Sequence, residues 1–266
     1  MNKYAPGHDQ AAATFMQLRS AETSAGFMRE CLRPGVRMLD CGCGPGTITV
    51  DLARLVAPGE VIGIDMADAQ LNFARAVAVQ QGVDNVRFEI ADVGELPYAD
   101  ASFDVVTSHS LLEHLPNPLL ALREMARVLK PGGYVAIRCL DFEHQITWPD
   151  LPAFRQAVEL GPAVIRHNGG DPNIGRRLGE LAHQAGFIDI RHTATINAAG
   201  VGDPHLPAVA MMMRGAFGEQ MRKAGLCDAE TLESFAALLE SLAQQPGVFS
   251  AVPFGEVLAR KPDAER

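Results

Sequence analysis

Val36-Arg37-Met38-Leu39-Asp40-Cys41-Gly42-Cys43-Gly44-Pro45-Gly46-Thr47 carries the strongest structural signal in the chain. A short apolar run ends on the carboxylate of Asp40, glycines follow at three alternate positions, and a helical pattern begins at Ile48. This reads as a strand, a tight loop and a helix start. Glycine has no Cβ and tolerates positive φ, so Gly42, Gly44 and Gly46 let the backbone turn sharply and approach a ligand closely. The free N–H groups of the helix start suit a nucleotide-like group.

The flanking sequence repeats the pattern. Residues 9–31 carry Phe15, Met16, Leu18, Phe27 and Met28 at helical spacing before Pro34-Gly35, with Tyr4, His8 and Arg19 read as surface or lid-packing groups of this arm. After the loop come a strand at 61–65 ending on Asp65, a helix over 67–80, a strand at 86–90 followed by Ala91-Asp92, and a strand at 103–108. Asn117-Pro118 caps a helix reaching Leu129, Lys130-Pro131-Gly132-Gly133 closes it, and residues 134–140 form a fifth strand. Apolar strands alternating with amphipathic helices predict an α/β fold, a doubly wound, mostly parallel sheet.

From Asp141 the rhythm is lost. Residues 141–170 hold Trp148, His144 and His167 among irregular prolines and glycines and are expected to form a lid. Asp171-Pro172 opens a helix to Ala185, which feeds a strand from Phe187 to about residue 196. Residues 200–245 read as two helices, the first rich in methionine, and 248–259 as a last strand before a loose tail at 261–266. The expected layout is one domain: a helical arm or lid over 1–30, a ligand-binding core over 31–140, lid insertions at 141–170 and 200–245, and core elements at 171–199 and 246–266.

The charge balance of 23 basic against 32 acidic residues gives −9, with no basic cluster longer than Arg176-Arg177, which disfavours a nucleic-acid partner. A small neutral or cationic ligand fits better. The five cysteines are odd in number and lack paired spacing, so they are read as reduced, and a cytoplasmic location is expected. Neither a leader in the first residues nor an apolar run long enough for a membrane is evident, so no membrane association is expected. No metal site is expected, and the state is read as monomer or homodimer.

The loop departs from the dinucleotide fingerprint. Gly42 and Gly44 match, but the third small residue is replaced by Thr47, with Pro45-Gly46 inside. Asp65 suits any ribose diol. Asp92, at the next strand end, is placed to accept from an exocyclic amine such as that of adenine. Three carboxylates on successive strand ends, unmatched by a basic group for pyrophosphate, suit a ligand with an amine, a ribose and an adenine.

These residues resemble the class I S-adenosylmethionine-dependent methyltransferases, in the group that holds the ubiquinone and menaquinone C-methyltransferases and many natural-product methyltransferases. The resemblance rests on Leu39 to Gly46, Gly63-Ile64-Asp65, Ala91-Asp92, Leu96-Pro97, Phe103-Asp104-Val105-Val106, Leu112-Glu113-His114-Leu115 and Leu129 to Gly133, and covers about residues 30–140. It implies a seven-stranded Rossmann-like sheet whose last strand is antiparallel. It also implies S-adenosylmethionine as methyl donor and S-adenosylhomocysteine as product. Asp40, Cys41 and the backbone of Gly42, Gly44 and Gly46 would hold the methionyl group. Asp65 would take the ribose, with Met66 against the adenine; Ala91, Asp92 and Val93 would bind the adenine. Ser108 and His109 would line the sulfonium side, and Arg19 resembles an arginine that some relatives keep near the cofactor carboxylate.

Methyl transfer needs alignment more than acid–base help, and a base only when the acceptor must lose a proton. His109, His144 and Asp141 follow strand ends and are the candidate catalytic groups, whereas His114 reads as packing. Trp148, Phe142 and the methionines suggest an apolar acceptor site and a hydrophobic metabolite of secondary-metabolism or quinone type. A quinone-pathway C-methyltransferase, an NAD-dependent oxidoreductase and a methyltransferase-like binding protein without turnover are the alternatives.

Overall fold

Strand β1 (Met38–Cys41) is buried at every position because it runs through the middle of the sheet, paired in parallel with β2 (Val61–Asp65) and β4 (Phe103–His109). The computed structural model describes residues 4–264. The sheet has eight strands in the order β3-β2-β1-β4-β5-β8-β6, with β3 at Val86–Ile90, β5 at Leu129–Leu140, β6 at Ile146–Trp148 and β8 at Phe249–Arg260; β7 (Ile188–Ala199) lies on the other side of β8. Strands β1 to β5 pair in parallel, whereas β8 is antiparallel to β5, β6 and β7. The strand order therefore reverses between β1 and β4. In such a sheet the ligand crevice opens beyond the carboxyl ends of the strands at that reversal.

Helices α3 (Thr47–Val56), α4 (Asp68–Gln80) and α5 (Pro118–Val128) join these strands. The cap predicted at Asn117 is present, its Oδ1 accepting from Leu120 N at 3.2 Å. One core cluster packs Leu39, Ile62, Phe103 and Met125 on one side of the sheet. A second packs Met38, Leu52, Val105 and Leu258 on the other.

The arm folds as α1 (Gln10–Met16), α2 (Ala21–Ser24) and a 3-10 turn over Gly26–Cys31. The first three residues of the expected arm and the last two of the expected tail lie outside the described residues.

The later half differs from its expected form. Residues 130–133 belong to β5, because Leu129 already pairs with Phe103 across a register shift. Residues 141–170 are mostly ordered: β6 adds an eighth strand on β8, and α6 (Pro152–His167) buries Phe154, Ala157, Leu160 and Val164. Gly161 and Pro162 inside that helix mask its period. A 3-10 turn at Ile174–Arg177 precedes the short α7 (Leu178–Gln184), and β7 runs on to Ala199. Residues 200–245 form three helices, since Gly215 separates α8 (His205–Arg214) from α9 (Ala216–Lys223), ahead of α10 (Ala229–Ala243). Helices α6, α8, α9 and α10 share one hydrophobic cluster built on Phe154, Leu206, Phe217, Met221 and Leu239, and Ala11 and Phe15 of α1 pack against it.

Candidate active site

The glycine loop is stitched to the neighbouring strand, with Gly42 N and Cys43 N both donating to Ile64 O at 2.8 and 2.9 Å. At the start of α3, Gly46 has φ +78°, and a Cβ there would meet Ala74 Cβ at 2.6 Å, so only glycine fits. Asp40, 4% exposed, accepts from Thr49 Oγ1 at 2.6 Å. Burial pushes its pKa up to about 6, opposed by the Thr49 bond and aided by the charge of Asp65. Asp65 accepts from Gly44 N at 3.0 Å and from Ala67 N at 2.9 Å, and Asp92 from Gly94 N at 2.8 Å. The backbone thus fixes two of the carboxylates and a side chain the third.

All three carboxylates line one cavity of about 410 Å³, within the range of small-molecule sites. Gln70 lines it too. That side chain is 1% exposed, and both its amide atoms lack a hydrogen-bond partner, as does the buried Ser110 Oγ on the opposite wall. Unpartnered buried polar atoms are rare and costly, so they mark a place where a polar ligand completes the bonding.

The other end of the cavity is closed by the arm. Tyr4, His8, Met16 and Arg19 share the cavity wall with His109 at the end of β4 and with Leu111, His114 and Leu115 of the segment after it. Tyr4 stacks on His8 with centroids 5.3 Å apart and meets His114 edge to face at 4.6 Å. Burial, and then the charge of Arg19, pushes His114 down to about 3, while burial raises the Tyr4 hydroxyl. The Arg19 guanidinium lies 5.3 Å from the Phe15 ring centroid, and among the described residues no carboxylate is within ion-pair distance of it. His109 is held well below the usual imidazole range by burial, Arg19 and Arg138.

Of the residues singled out in the sequence, Arg19, Asp40, Gly42, Gly44, Asp65, Met66, Ala91, Asp92, Val93 and His109 line this cavity. Cys41 and Ser108 are buried in their strands and Gly46 packs under the loop, so these three support the site without lining it. Asp141 and His144 do not join it. Both turn to Arg176, which pairs with Asp141 and Glu143 and has Nη2 2.9 Å from His144 Nδ1. An exposed histidine tied to a guanidinium on the protein surface is no base for a reaction in the cavity. His109 is in place, but its Nε2 faces Arg138 Nη1 at 2.8 Å, which uses the lone pair a base would need.

The expected apolar wall also differs. Trp148 is 60% exposed on β6, Phe142 packs against the insertion cluster, and Met212, Met213 and Met221 are buried in that cluster. No residue of either insertion lines the cavity. They reach it through α1, which packs on them. The sequence reading missed Gln70, Ser110 and the aromatic group of Tyr4, His8 and His114. For Gln70 a signal existed: positions 70, 74 and 78 form one buried stripe of α4, and a polar residue on an apolar stripe marks a site. Among the described residues no cluster of metal-binding side chains is present, and no helix is long and apolar enough to cross a membrane.

A model of the methyltransferase domain matches residues 32–176. The chain is 34% identical over 191 residues to an uncharacterized methyltransferase of Schizosaccharomyces pombe, covering 70% of this chain and 68% of that protein. It is 40% identical over 127 residues to the demethylmenaquinone methyltransferase of Lactococcus lactis subsp. lactis, covering 47% of this chain and 48% of that one. Among solved structures, the cyclase SpnF superposes with a TM-score of 0.56 at 25% identity, covering 96% of this chain and 83% of that one. With its glycine loop and strand-end carboxylates in the Rossmann-like sheet, the chain belongs to the methyltransferase domain family of class I S-adenosylmethionine-dependent enzymes.

Proposed function

We propose that the protein transfers a methyl group from S-adenosylmethionine to a small, hydrophobic metabolite. The observation that carries this reading is the convergence of Asp40, Asp65 and Asp92, from three successive strand ends, on one cavity beside the glycine loop. In this reading Asp65 takes the ribose diol, with Met66 and Gln70 beside it. Asp92 accepts from the adenine amine, with Ala91 and Val93 along the ring. Asp40 and the loop backbone face the methionyl amine, and Arg19 its carboxylate. The bound cofactor supplies the activated methyl on its sulfonium. The chain's own residues orient, enclose and exclude water, and such positioning supplies up to about 7–11 kcal/mol of a barrier.

The acceptor lies at the arm end, among Tyr4, His8, Leu111, His114 and Leu115. These rings and aliphatic groups favour a hydrophobic or aromatic molecule of secondary-metabolism type. The two insertions act as a lid by seating the arm. A quinone-type acceptor is the second reading, supported by the likeness to a demethylmenaquinone methyltransferase, although that match covers under half of each chain. Thr47 and Asp92 disfavour an NAD-dependent oxidoreductase. A protein that binds the cofactor without methyl transfer is the remaining alternative; the similar structure of SpnF is that of a [4+2]-cyclase. The five free cysteines support a reducing compartment such as the cytoplasm.

The experiment is a screen of metabolite pools with methyl-labelled S-adenosylmethionine. Label in a small organic product supports the reading. Tight cofactor binding with no label transferred to any pool favours the non-transferring alternative.

A further inference from the structure

His109 ends β4, and its register partner on β5 is Arg138. Arg138 is fully buried and held from every side. Its Nε donates to Glu256 Oε1 at 2.9 Å, and its Nη2 donates to Thr195 Oγ1 at 3.1 Å and Asn197 Oδ1 at 2.9 Å. The guanidinium carbon sits 3.6 Å from the Phe254 ring centroid. Thr195 in turn donates to Glu256 Oε1 at 2.7 Å, and Glu256 is only 3% exposed. Strands β5, β7 and β8 thus fix the guanidinium plane.

The remaining contact is Arg138 Nη1 to His109 Nε2 at 2.8 Å. A guanidinium has donors only, so the imidazole nitrogen must accept. A neutral ring that accepts at Nε2 carries its proton on Nδ1. The charged groups around the ring are Arg138 from β5 and Arg19 from the arm, with Glu256 of β8 behind Arg138, and both cations oppose a second proton. Phe254 of β8 adds an apolar wall, its centroid 5.8 Å from that of His109.

We propose that Arg138 is a positioning residue that holds His109 as a neutral, Nδ1-protonated imidazole at the acceptor end of the cavity, where it forms a fixed, uncharged wall and does not serve as a general base. The role at the acceptor end rests on the methyl-transfer reading above; the tautomer rests on the geometry alone. Any proton the acceptor must lose is lost in solution before binding or passes to water afterwards.

The test is nitrogen NMR of the full chain with isotope-labelled histidine, the His109 signals being assigned through His109→Gln. In the wild type, Nε2 is expected to show an unprotonated shift and Nδ1 a protonated one, unchanged from about pH 5 to about pH 8. Arg138→Met removes the donor that fixes the ring, and the Nε2 and Nδ1 shifts then move toward those of a mixture of the two neutral tautomers. Glu256→Gln keeps the guanidinium beside the ring and preserves the wild-type pattern. A protonated Nε2, or a His109 titration inside that window in the wild type, overturns the proposal. If Arg138→Met does not fold, the wild-type spectrum decides alone. A failed acceptor screen leaves these spectra unchanged, so the two readings fail separately.

Discussion

Asp40 sits behind the glycine loop with its pKa pushed up to about 6, and this makes ligand binding sensitive to pH. A carboxyl whose folded value is raised is protonated as pH falls through that value, and a cationic amine loses its partner. Affinity for S-adenosylhomocysteine is therefore expected to be flat above about pH 6 and to fall up to about tenfold per pH unit below it, as titration calorimetry reads. Asp40→Asn removes the dependence and weakens binding at neutral pH. His114 acts on stability, and its contribution is likewise lost on acidification. Its folded value is about 3 against about 6.5 unfolded, so the unfolded chain binds the extra proton, and stability present above about pH 6.5 is lost as pH falls toward 3. His114→Gln should lose less melting temperature than the wild type between neutral and mildly acidic pH. The carboxylates were legible in the sequence because each stands at, or just beyond, the carboxyl end of a strand. Tyr4 and His8 were legible only as surface or lid-packing groups, and Ser110, at φ +52°, was not legible at all, since nothing local says which residues an arm brings together with the segment after β4.

At the scale of elements, Asp9 joins two helices that are far apart in sequence. Its Oδ1 accepts from Ala12 N at 2.9 Å to cap α1, and its Oδ2 accepts from Ala216 N at 2.7 Å at the start of α9. Gln220 Nε2 adds bonds to Tyr4 O at 2.8 Å and Ala5 O at 3.1 Å. Asp9→Ala is expected to cost about 1–2 kcal/mol in urea unfolding, at the upper end of a single cap's worth. Amide exchange in α1 should speed up while that of β1 stays protected. Cofactor affinity should fall as well, because Met16 and Arg19 travel with α1. At the loop, Gly46→Ala combines a left-handed backbone with a contact at 2.6 Å to Ala74. It should destabilise by about 2–4 kcal/mol, summing backbone strain and overpacking, as the denaturation midpoint shows. The core strands and helices α3 to α5 were readable because period and caps agree there. Helix α6 was not, because Gly161 and Pro162 break its local signature and only packing against α9 and α10 restores it.

The whole molecule divides its labour between two hydrophobic clusters. Strands of the sheet carry the carboxylates of the proposed cofactor site, while the helical cluster of α6, α8, α9 and α10 carries the arm that lines the same cavity. This division explains why one half of the function was legible and the other was not. The proposed cofactor recognition uses strand ends and a glycine loop, whose chemistry is local in sequence. The acceptor end is assembled from the arm and the segment after β4, brought together only by tertiary packing. The formal charge of −9 constrains that end poorly, since its charged wall group is Arg19. The central claim is that the loop and the three carboxylates bind S-adenosylmethionine. Its most direct test is titration calorimetry of S-adenosylhomocysteine and of NAD against the wild type and Asp65→Ala. One molecule of S-adenosylhomocysteine per chain should bind the wild type in the micromolar range, at least about tenfold more weakly to Asp65→Ala, with no heat from NAD. Comparable binding of NAD, or S-adenosylhomocysteine binding that ignores Asp65→Ala, would contradict it.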